Sequence, residues 1–185
     1  MPTKGQIITN AINGNSYEFM ETSKDTGGAF VTMKATINQK GKLVPDHFHT
    51  LQDETFEVVS GQMTILSEGT TIILNAGDKI SLPRNMPHNH FNESDAPLVY
   101  IHTVTPALDF EYLIENMIGL VGDGKSIDGK LSLVQQLVTL KYLDSKSFLV
   151  DMPLGVQKFL MNTVAPVARL LGYRAVYKKY SGFEK

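Results

Sequence analysis

The sequence predicts a mainly β-sheet barrel of short antiparallel strands, followed by a helical C-terminal extension. Between residues 5 and 106, short β-branched and apolar runs alternate with turn residues, a pattern typical of an antiparallel sandwich or barrel. After Pro106, apolar residues recur at the spacing of an α-helix. We therefore expect a barrel domain over residues 1–107 and a helical extension over residues 108–185.

The predicted strands are separated by glycine-containing turns. Glycine, asparagine and aspartate favour the backbone conformations that tight turns need. The runs between these turns are predicted to be strands: Tyr17–Glu21, Phe30–Ile37, Thr55–Val59, Met63–Leu66, Thr70–Leu74, Lys79–Leu82 and Leu98–Thr105. Strands this short and this regularly spaced favour a barrel or a sandwich.

Two helices are predicted in the first half of the extension. Apolar residues lie three and four positions apart between Phe110 and Val121, which places them on one face of a helix. Further along, Ser132 is followed three residues later by Gln135, before another apolar run. This spacing is a capping box and predicts a helix that begins after Ser132.

A third helix is predicted over Leu154–Leu171, ending at Gly172, and Pro166 should interrupt or kink it. Polar and apolar residues segregate on two faces of this helix: Lys158, Asn162 and Arg169 against Val156, Leu160, Val167 and Leu171. Residues 152–185 also contain six of the 17 basic residues and one of the 19 acidic residues. Contact with an anionic membrane is one interpretation. The favoured one is that the apolar face covers the barrel or a dimer partner.

The composition excludes several classes of protein. A net charge of −2 argues against a general nucleic-acid binder. The absence of cysteine excludes disulfides and thiolate metal sites. The N-terminal residues contain no long apolar run, and no stretch approaches the ~18 apolar residues of a membrane span. We therefore expect a cytoplasmic protein.

Histidine and glutamate residues in the segment 41–61 predict a metal site. His47 and His49 are two residues apart and therefore point to the same side of a strand. Glu54 follows after a short polar segment, and a further histidine, His88, lies in a second segment, 77–92. Imidazoles combined with a carboxylate suit Fe, Mn, Ni or Zn and are a poor match for Ca or Mg.

The first segment resembles the first motif of the cupin superfamily. That motif is glycine, five residues, His-x-His, three or four residues, glutamate, six residues and glycine. This chain fits it at every position, with Gly41, His47, His49, Glu54 and Gly61. The two glycines are expected to be turn residues without a chemical role.

The second segment resembles the second cupin motif, with one departure. Gly77, Pro83, His88 and Asn92 match, whereas Asn85 stands where the family has glycine. A glycine there usually marks a positive φ angle, and asparagine tolerates that conformation well. Asn92 is expected to close a turn. Only 15 residues separate the motifs, which predicts a bare hairpin between them.

The resemblance is to small single-domain cupins with a helical tail, and it implies a double-stranded β-helix (jelly-roll) barrel. It also implies that His47, His49, Glu54 and His88 bind one divalent metal ion, and that the protein is a homodimer. Four ligands on an octahedral ion leave two positions for a small molecule in the barrel. The implied reactions are dioxygenation, decarboxylation and isomerisation. The alternative is a binding or sensing module that holds a small molecule without converting it.

Two further histidines could contribute to such a site. His90 has the same strand parity as His88 and should face inward. It is the candidate acid or base, and a buried structural histidine is the alternative. His102 has the same parity as Tyr100 on the last strand. It could also enter the barrel, although a histidine of the core or surface is the favoured interpretation.

Overall fold

The computed structural model of the chain describes residues 2–127 and 130–185. Ten strands precede the extension: β1 (Ile7–Thr9), β2 (Ser16–Glu21), β3 (Val31–Ile37), β4 (His47–His49), β5 (Asp53–Ser60), β6 (Gln62–Ser67), β7 (Thr70–Asn75), β8 (Lys79–Leu82), β9 (His88–Phe91) and β10 (Leu98–Thr105). The extension contributes α1 (Phe110–Gly122), β11 (Ser126–Ile127), β12 (Lys130–Leu131), α2 (Leu133–Tyr142), β13 (Ser147–Leu149), α3 (Leu154–Leu170) and α4 (Lys178–Ser181).

Two antiparallel sheets form the barrel. The first has the strand order β1-β2-β3-β10-β5-β8, and the second has the order β13-β4-β9-β6-β7. Alternate residues of both sheets point into one apolar core, in which Phe56 and Val58 of β5 meet Met63 and Ile65 of β6. The predicted mainly β jelly-roll fold is thereby confirmed.

All seven predicted strands are present, and Lys79–Leu82 and Leu98–Thr105 have the predicted bounds. The hairpin expected between the two motifs is β6–β7, with Ser67 paired to Thr70. The extension is mostly helical, as predicted, but it also contains strands that were not predicted. One of them, β13, joins the second barrel sheet beside β4. The division of the chain near residue 107 stays a prediction.

Helix α2 begins where the capping box predicts, whereas the interruption expected at Pro166 is absent. The Ser132 hydroxyl accepts the Gln135 N–H at 3.2 Å and caps α2. Helix α3 runs without interruption through Pro166. Ala165 and Ala168 are buried around the proline, so packing holds the helix together where the proline removes a backbone hydrogen bond.

The face of α3 that packs within the chain differs from the predicted one. Of the predicted apolar face, Leu160 packs against Phe148 and Met161. Val156, Val167 and Leu171 are 47%, 58% and 75% exposed, so they do not cover the barrel. The residues that α3 buries are Gln157, Met161, Ala165 and Ala168. This face packs on α2 and β13, because small side chains let the helix approach closely. That a dimer partner covers the exposed face stays a prediction. Within residues 2–127 and 130–185, no helix has the length and apolar character needed to cross a bilayer.

Candidate metal centre

The four predicted ligands lie on three strands drawn from both sheets. His47 and His49 sit on β4, and their side chains share one face because one residue separates them. His88 is the first residue of β9 and is the direct pairing partner of His47. Glu54 projects from β5 of the opposite sheet. The cluster therefore bridges the two sheets at the interior of the barrel.

These four side chains converge on a common point. One donor atom from each residue lies within 4.8 Å of the corresponding atoms of the other three. All four residues are at most 9% exposed. The sequence thus identified a group that the fold brings together, although the residues span more than 40 positions of the chain.

Backbone carbonyls orient two of the imidazole rings. The Nδ1 atoms of His47 and His88 lie 2.9 Å from the carbonyl oxygens of Pro45 and Met86, respectively. A neutral imidazole that donates through Nδ1 keeps the lone pair on Nε2 available as a ligand. Hydrogen bonds of this kind are the usual supports of metal-binding histidines.

His49 provides the test of whether a metal ion fits this cluster. Neither ring nitrogen of His49 has a hydrogen-bond partner, although both are buried. Its Nε2 lies 3.3 Å from Oε2 of Glu54. A buried imidazole without partners is unfavourable by ~1–3 kcal/mol, and a coordinated ion would remove that penalty. Three imidazoles and one carboxylate fit a divalent transition metal.

The electrostatics keep two of the donors in the protonation state that a metal needs. Burial and the neighbouring His49 lower the pKa of His47 to about 4, so its imidazole is neutral at neutral pH. Burial raises the pKa of Glu54, but the electrostatic effect of the neighbouring His49 and the hydrogen bonds from His102 and His88 outweigh it. The net pKa lies well below its usual value, so Glu54 is a carboxylate.

The carboxylate of Glu54 raises the pKa of the neighbouring His88. Burial lowers the pKa of His88, whereas the hydrogen bond and the charge of Glu54 raise it, and the net pKa is raised. The contact is short, with 2.8 Å between Nε2 of His88 and Oε2 of Glu54.

His90 lies in the same interior, as its strand parity predicted, but outside the group of four donors. Its ring centroid is 4.4 Å from that of Phe56, and its Nε2 is 3.3 Å from the hydroxyl of Tyr100. Burial and the neighbouring His102 hold the pKa of His90 well below its usual value. Its imidazole is therefore neutral, and its role as an acid or base stays a prediction.

His102 has a partner that the sequence did not reveal. It is buried, and its Nε2 lies 2.9 Å from Oε1 of Glu54. Strand parity placed His102 inside the barrel as one possibility. Only the register of β10 against β5, which pairs Val104 with Glu54, explains why the two side chains meet.

The second motif connects to the first through the backbone. Asn85 has φ of 66°, so the left-handed conformation expected at this position is confirmed. Its N–H donates to the carbonyl of His49 at 2.6 Å. Asn92 accepts the Ser94 N–H at 2.9 Å and donates to the Ala96 carbonyl at 2.8 Å, so its predicted role in closing a turn is also confirmed.

The extension contributes directly to the support of the site. Strand β13 pairs with β4 so that Leu149 lies opposite His47 and Ser147 lies opposite His49. Phe48, between the two histidines, packs with Phe148 at a ring-centroid distance of 5.9 Å. The strand that carries two ligands is thus flanked by the extension on one side and by β9 on the other.

Comparison with known sequences gives one family and one relative. Residues 34–104 match the family model described as "Cupin domain", and this segment contains all four candidate ligands. Over 74 residues, the chain is 34% identical to quercetin 2,3-dioxygenase of Bacillus subtilis (strain 168). That match covers 40% of this chain and 22% of the dioxygenase, so the chain corresponds to about a fifth of its relative.

Comparison with solved structures gives partial similarities of the fold. KdgF from Halomonas sp. has a TM-score of 0.49 at 16% identity, and the match covers 56% of this chain and 89% of KdgF. A sugar phosphate isomerase of the cupin superfamily from Silicibacter pomeroyi has a TM-score of 0.46 at 19% identity, covering 54% and 70%.

Proposed function

We propose that this chain, whose residues 34–104 match the cupin domain model, is a metal-dependent enzyme that acts on a small molecule inside the barrel. The observation that carries this proposal is the convergence of His47, His49, Glu54 and His88, whose donor atoms lie within 4.8 Å of one another. A buried cluster of three imidazoles and a carboxylate is suited to one divalent ion of Fe, Mn, Ni or Zn.

The proposed roles follow from the donor set. The four side chains would hold the ion, and four protein donors are fewer than the six that an octahedral ion accepts. Such an ion supplies Lewis-acid polarisation of a carbonyl or carboxylate, or redox chemistry if it is iron. His90 is the candidate for moving a proton, because its neutral imidazole lies in the same interior and hydrogen-bonds Tyr100.

The proposed metal site is compatible with more than one class of reaction. Dioxygenation, decarboxylation and isomerisation all use a metal ion with open positions. The 34% identity to a quercetin 2,3-dioxygenase favours testing dioxygenation first. The matched segment is a small part of that protein, so we propose an oxidoreductase without assigning a flavonol as the substrate.

The first test of this proposal is the metal content of the purified protein, obtained without an affinity tag or chelator and measured by elemental mass spectrometry. We expect about one equivalent of Fe, Mn, Ni or Zn in the wild type, and a large loss in His88→Ala and Glu54→Gln. Glu57→Gln is the matched control, because Glu57 lies on the same strand, points outward and pairs with Lys79 at 3.3 Å. Equal metal content in all variants would refute the site.

The second test is turnover. Protein loaded with each metal is incubated with small carboxylic acids, thiols and flavonols, and products are measured by mass spectrometry. Product formation that is lost in His88→Ala and retained in Glu57→Gln supports an enzyme. No product with any substrate class under any metal would refute the enzymatic part of the proposal.

A non-catalytic binding or sensing module is the second candidate, and one observation favours it. Groups able to transfer protons are scarce near the cluster, because, in the described part of the chain, His90 and His102 are the only further histidines beside the candidate ligands and His102 is bonded to Glu54. A ligand that binds the metal-loaded protein and is recovered unchanged after long incubation would favour this candidate. Rapid conversion of the ligand would exclude it.

A further inference from the structure

The position of His102 relative to Glu54 follows from the register of two strands. In the β5–β10 pair, Val104 lies opposite Glu54 and His102 lies opposite Phe56. His102 is therefore the diagonal neighbour of Glu54 on the inward face, within reach of a long side chain. The side chains meet with 2.9 Å between Nε2 of His102 and Oε1 of Glu54.

Aromatic rings hold the imidazole of His102 in this orientation. Phe56 stacks on it with a centroid distance of 4.5 Å and an interplanar angle of 16°. Phe110 of α1 meets it edge-on at 5.5 Å and 89°. Because the ring is confined from two directions and only 5% exposed, it has little freedom to leave Glu54.

The two oxygens of Glu54 have different partners. Oε1 faces His102, whereas Oε2 lies 2.8 Å from Nε2 of His88 and 3.3 Å from Nε2 of His49. Oε2 is thus the atom that points into the candidate metal centre. His102 is not among the four residues whose donor atoms converge there.

We propose that His102 is a positioning residue that fixes the carboxylate of Glu54 so that Oε2 alone serves as its ligand atom. This inference rests on the proposed function. His102 donates its Nε2–H to Oε1, which fixes the rotation of the carboxylate and removes one oxygen from coordination. Partners of ligating carboxylates typically change metal affinity by ~10- to 100-fold when they are removed.

The experiment compares two variants by titration with Co²⁺ against a chelator. His102→Phe keeps the aromatic stack but removes the donor, and His102→Gln keeps a donor of similar reach. We expect His102→Phe to weaken Co²⁺ binding by ~10- to 100-fold and to change the d–d absorption spectrum, because the carboxylate can rotate. His102→Gln should restore most of the affinity and the wild-type spectrum.

The outcomes separate this inference from the proposed function. If the wild type and Glu57→Gln bind no Co²⁺, both proposals are overturned. If the wild type binds Co²⁺ but folded His102→Phe binds it equally well with the same spectrum, only the positioning role is overturned. Equal weakening in His102→Gln and His102→Phe would also overturn it. Should His102→Phe fail to fold, His102→Asn replaces it, because the shorter asparagine side chain cannot reach Oε1 of Glu54. The His102→Asn variant should then bind Co²⁺ as weakly as expected for His102→Phe.

Discussion

Asn85 occupies the one position at which this chain departs from the second cupin motif. Its φ of 66° lies in the left-handed region, which costs most non-glycine residues ~1 kcal/mol or more. Asparagine is among the residues that tolerate this conformation best. The N–H of Asn85 also bonds the carbonyl of His49, so the turn connects directly to a candidate ligand.

We therefore expect Asn85→Ala to lower the free energy of unfolding by ~1 kcal/mol, because alanine gains strain at this φ angle. Asn85→Gly should change it by less than half as much, because glycine is unstrained there but loses more entropy on folding. Urea denaturation measures both. A loss in Asn85→Gly as large as that in Asn85→Ala would mean that the side chain, and not the backbone conformation, is what this position requires.

Strand β13 attaches the extension to the sheet that carries three of the four candidate ligands. Phe148, at its centre, is 2% exposed and packs with Phe48, Leu137 and Met161. We expect Phe148→Ala to lower the free energy of unfolding by ~3 kcal/mol, as is usual for a buried phenylalanine. Phe159 of α3, which is 65% exposed, is the matched control, and its alanine variant should change stability by less than ~0.5 kcal/mol. Equal effects of the two variants would show that β13 does not pack in this way.

The start of α1 is joined to the loop after α2 by a buried carboxylate. Asp109 accepts the N–H groups of Asp144 and Ser145 at 2.9 and 2.7 Å and pairs with Lys185 at 3.1 Å. Burial raises the pKa of Asp109, but these hydrogen bonds and the charge of Lys185 lower it below the usual value. Because the pKa is lower in the folded state, Asp109 stabilises the fold above its unfolded pKa. This contribution is lost as the pH falls through the folded pKa.

We expect Asp109→Asn to lower the free energy of unfolding by ~2 kcal/mol at neutral pH. The difference from the wild type should shrink as the pH falls from ~5 to below ~3. Thermal and urea denaturation across that range measure it. Asp95→Asn is the control, because the Asp95 side chain is 94% exposed and its ion pair with Lys40 lies at the surface, so its removal should have a much smaller effect. A difference for Asp109→Asn that does not depend on pH would contradict the role assigned to its charge.

Local patterns predicted most of the elements, because the strands alternate and the helices have clear apolar spacing and caps. Strand β13 could not be predicted in this way. Its three residues, Ser147–Leu149, carry no periodic pattern, and they are extended only because β4 offers an open edge. The buried face of α3 was missed for a related reason. Its Ala165 and Ala168 signal close packing only once the neighbouring helix is known.

The convergence of the four candidate ligands could be predicted because each motif has a fixed spacing that strands and turns preserve. The hydrogen bond between His102 and Glu54 could not, since 48 residues separate the two. Their contact depends on which residues of β5 and β10 lie opposite each other, and one sequence does not specify that register. The orientation of Glu54 was equally hidden, because it results from the same contact.

The candidate metal centre connects the two halves of the whole barrel. His47, His49 and His88 belong to one sheet, whereas Glu54 belongs to the other. The four side chains are not held together in the unfolded chain, so an ion that binds all of them would bind the native state alone. Such a ligand stabilises the protein by mass action. The gain grows with the logarithm of the ratio between the free ligand concentration and the dissociation constant.

We therefore expect the transition metal that the protein binds to raise its melting temperature. At a free concentration 100 times the dissociation constant, the gain is ~2.7 kcal/mol, which corresponds to ~5–10 °C for a chain of this length. Differential scanning fluorimetry of chelator-treated protein, with each metal added back, measures the shift. Glu57→Gln should show the full shift and His88→Ala little or none, while Ca²⁺ and Mg²⁺ should have no effect because they prefer oxygen ligands. A shift of equal size in His88→Ala would mean that the ion stabilises the protein from another site, and the two sheets would then not be joined through this cluster.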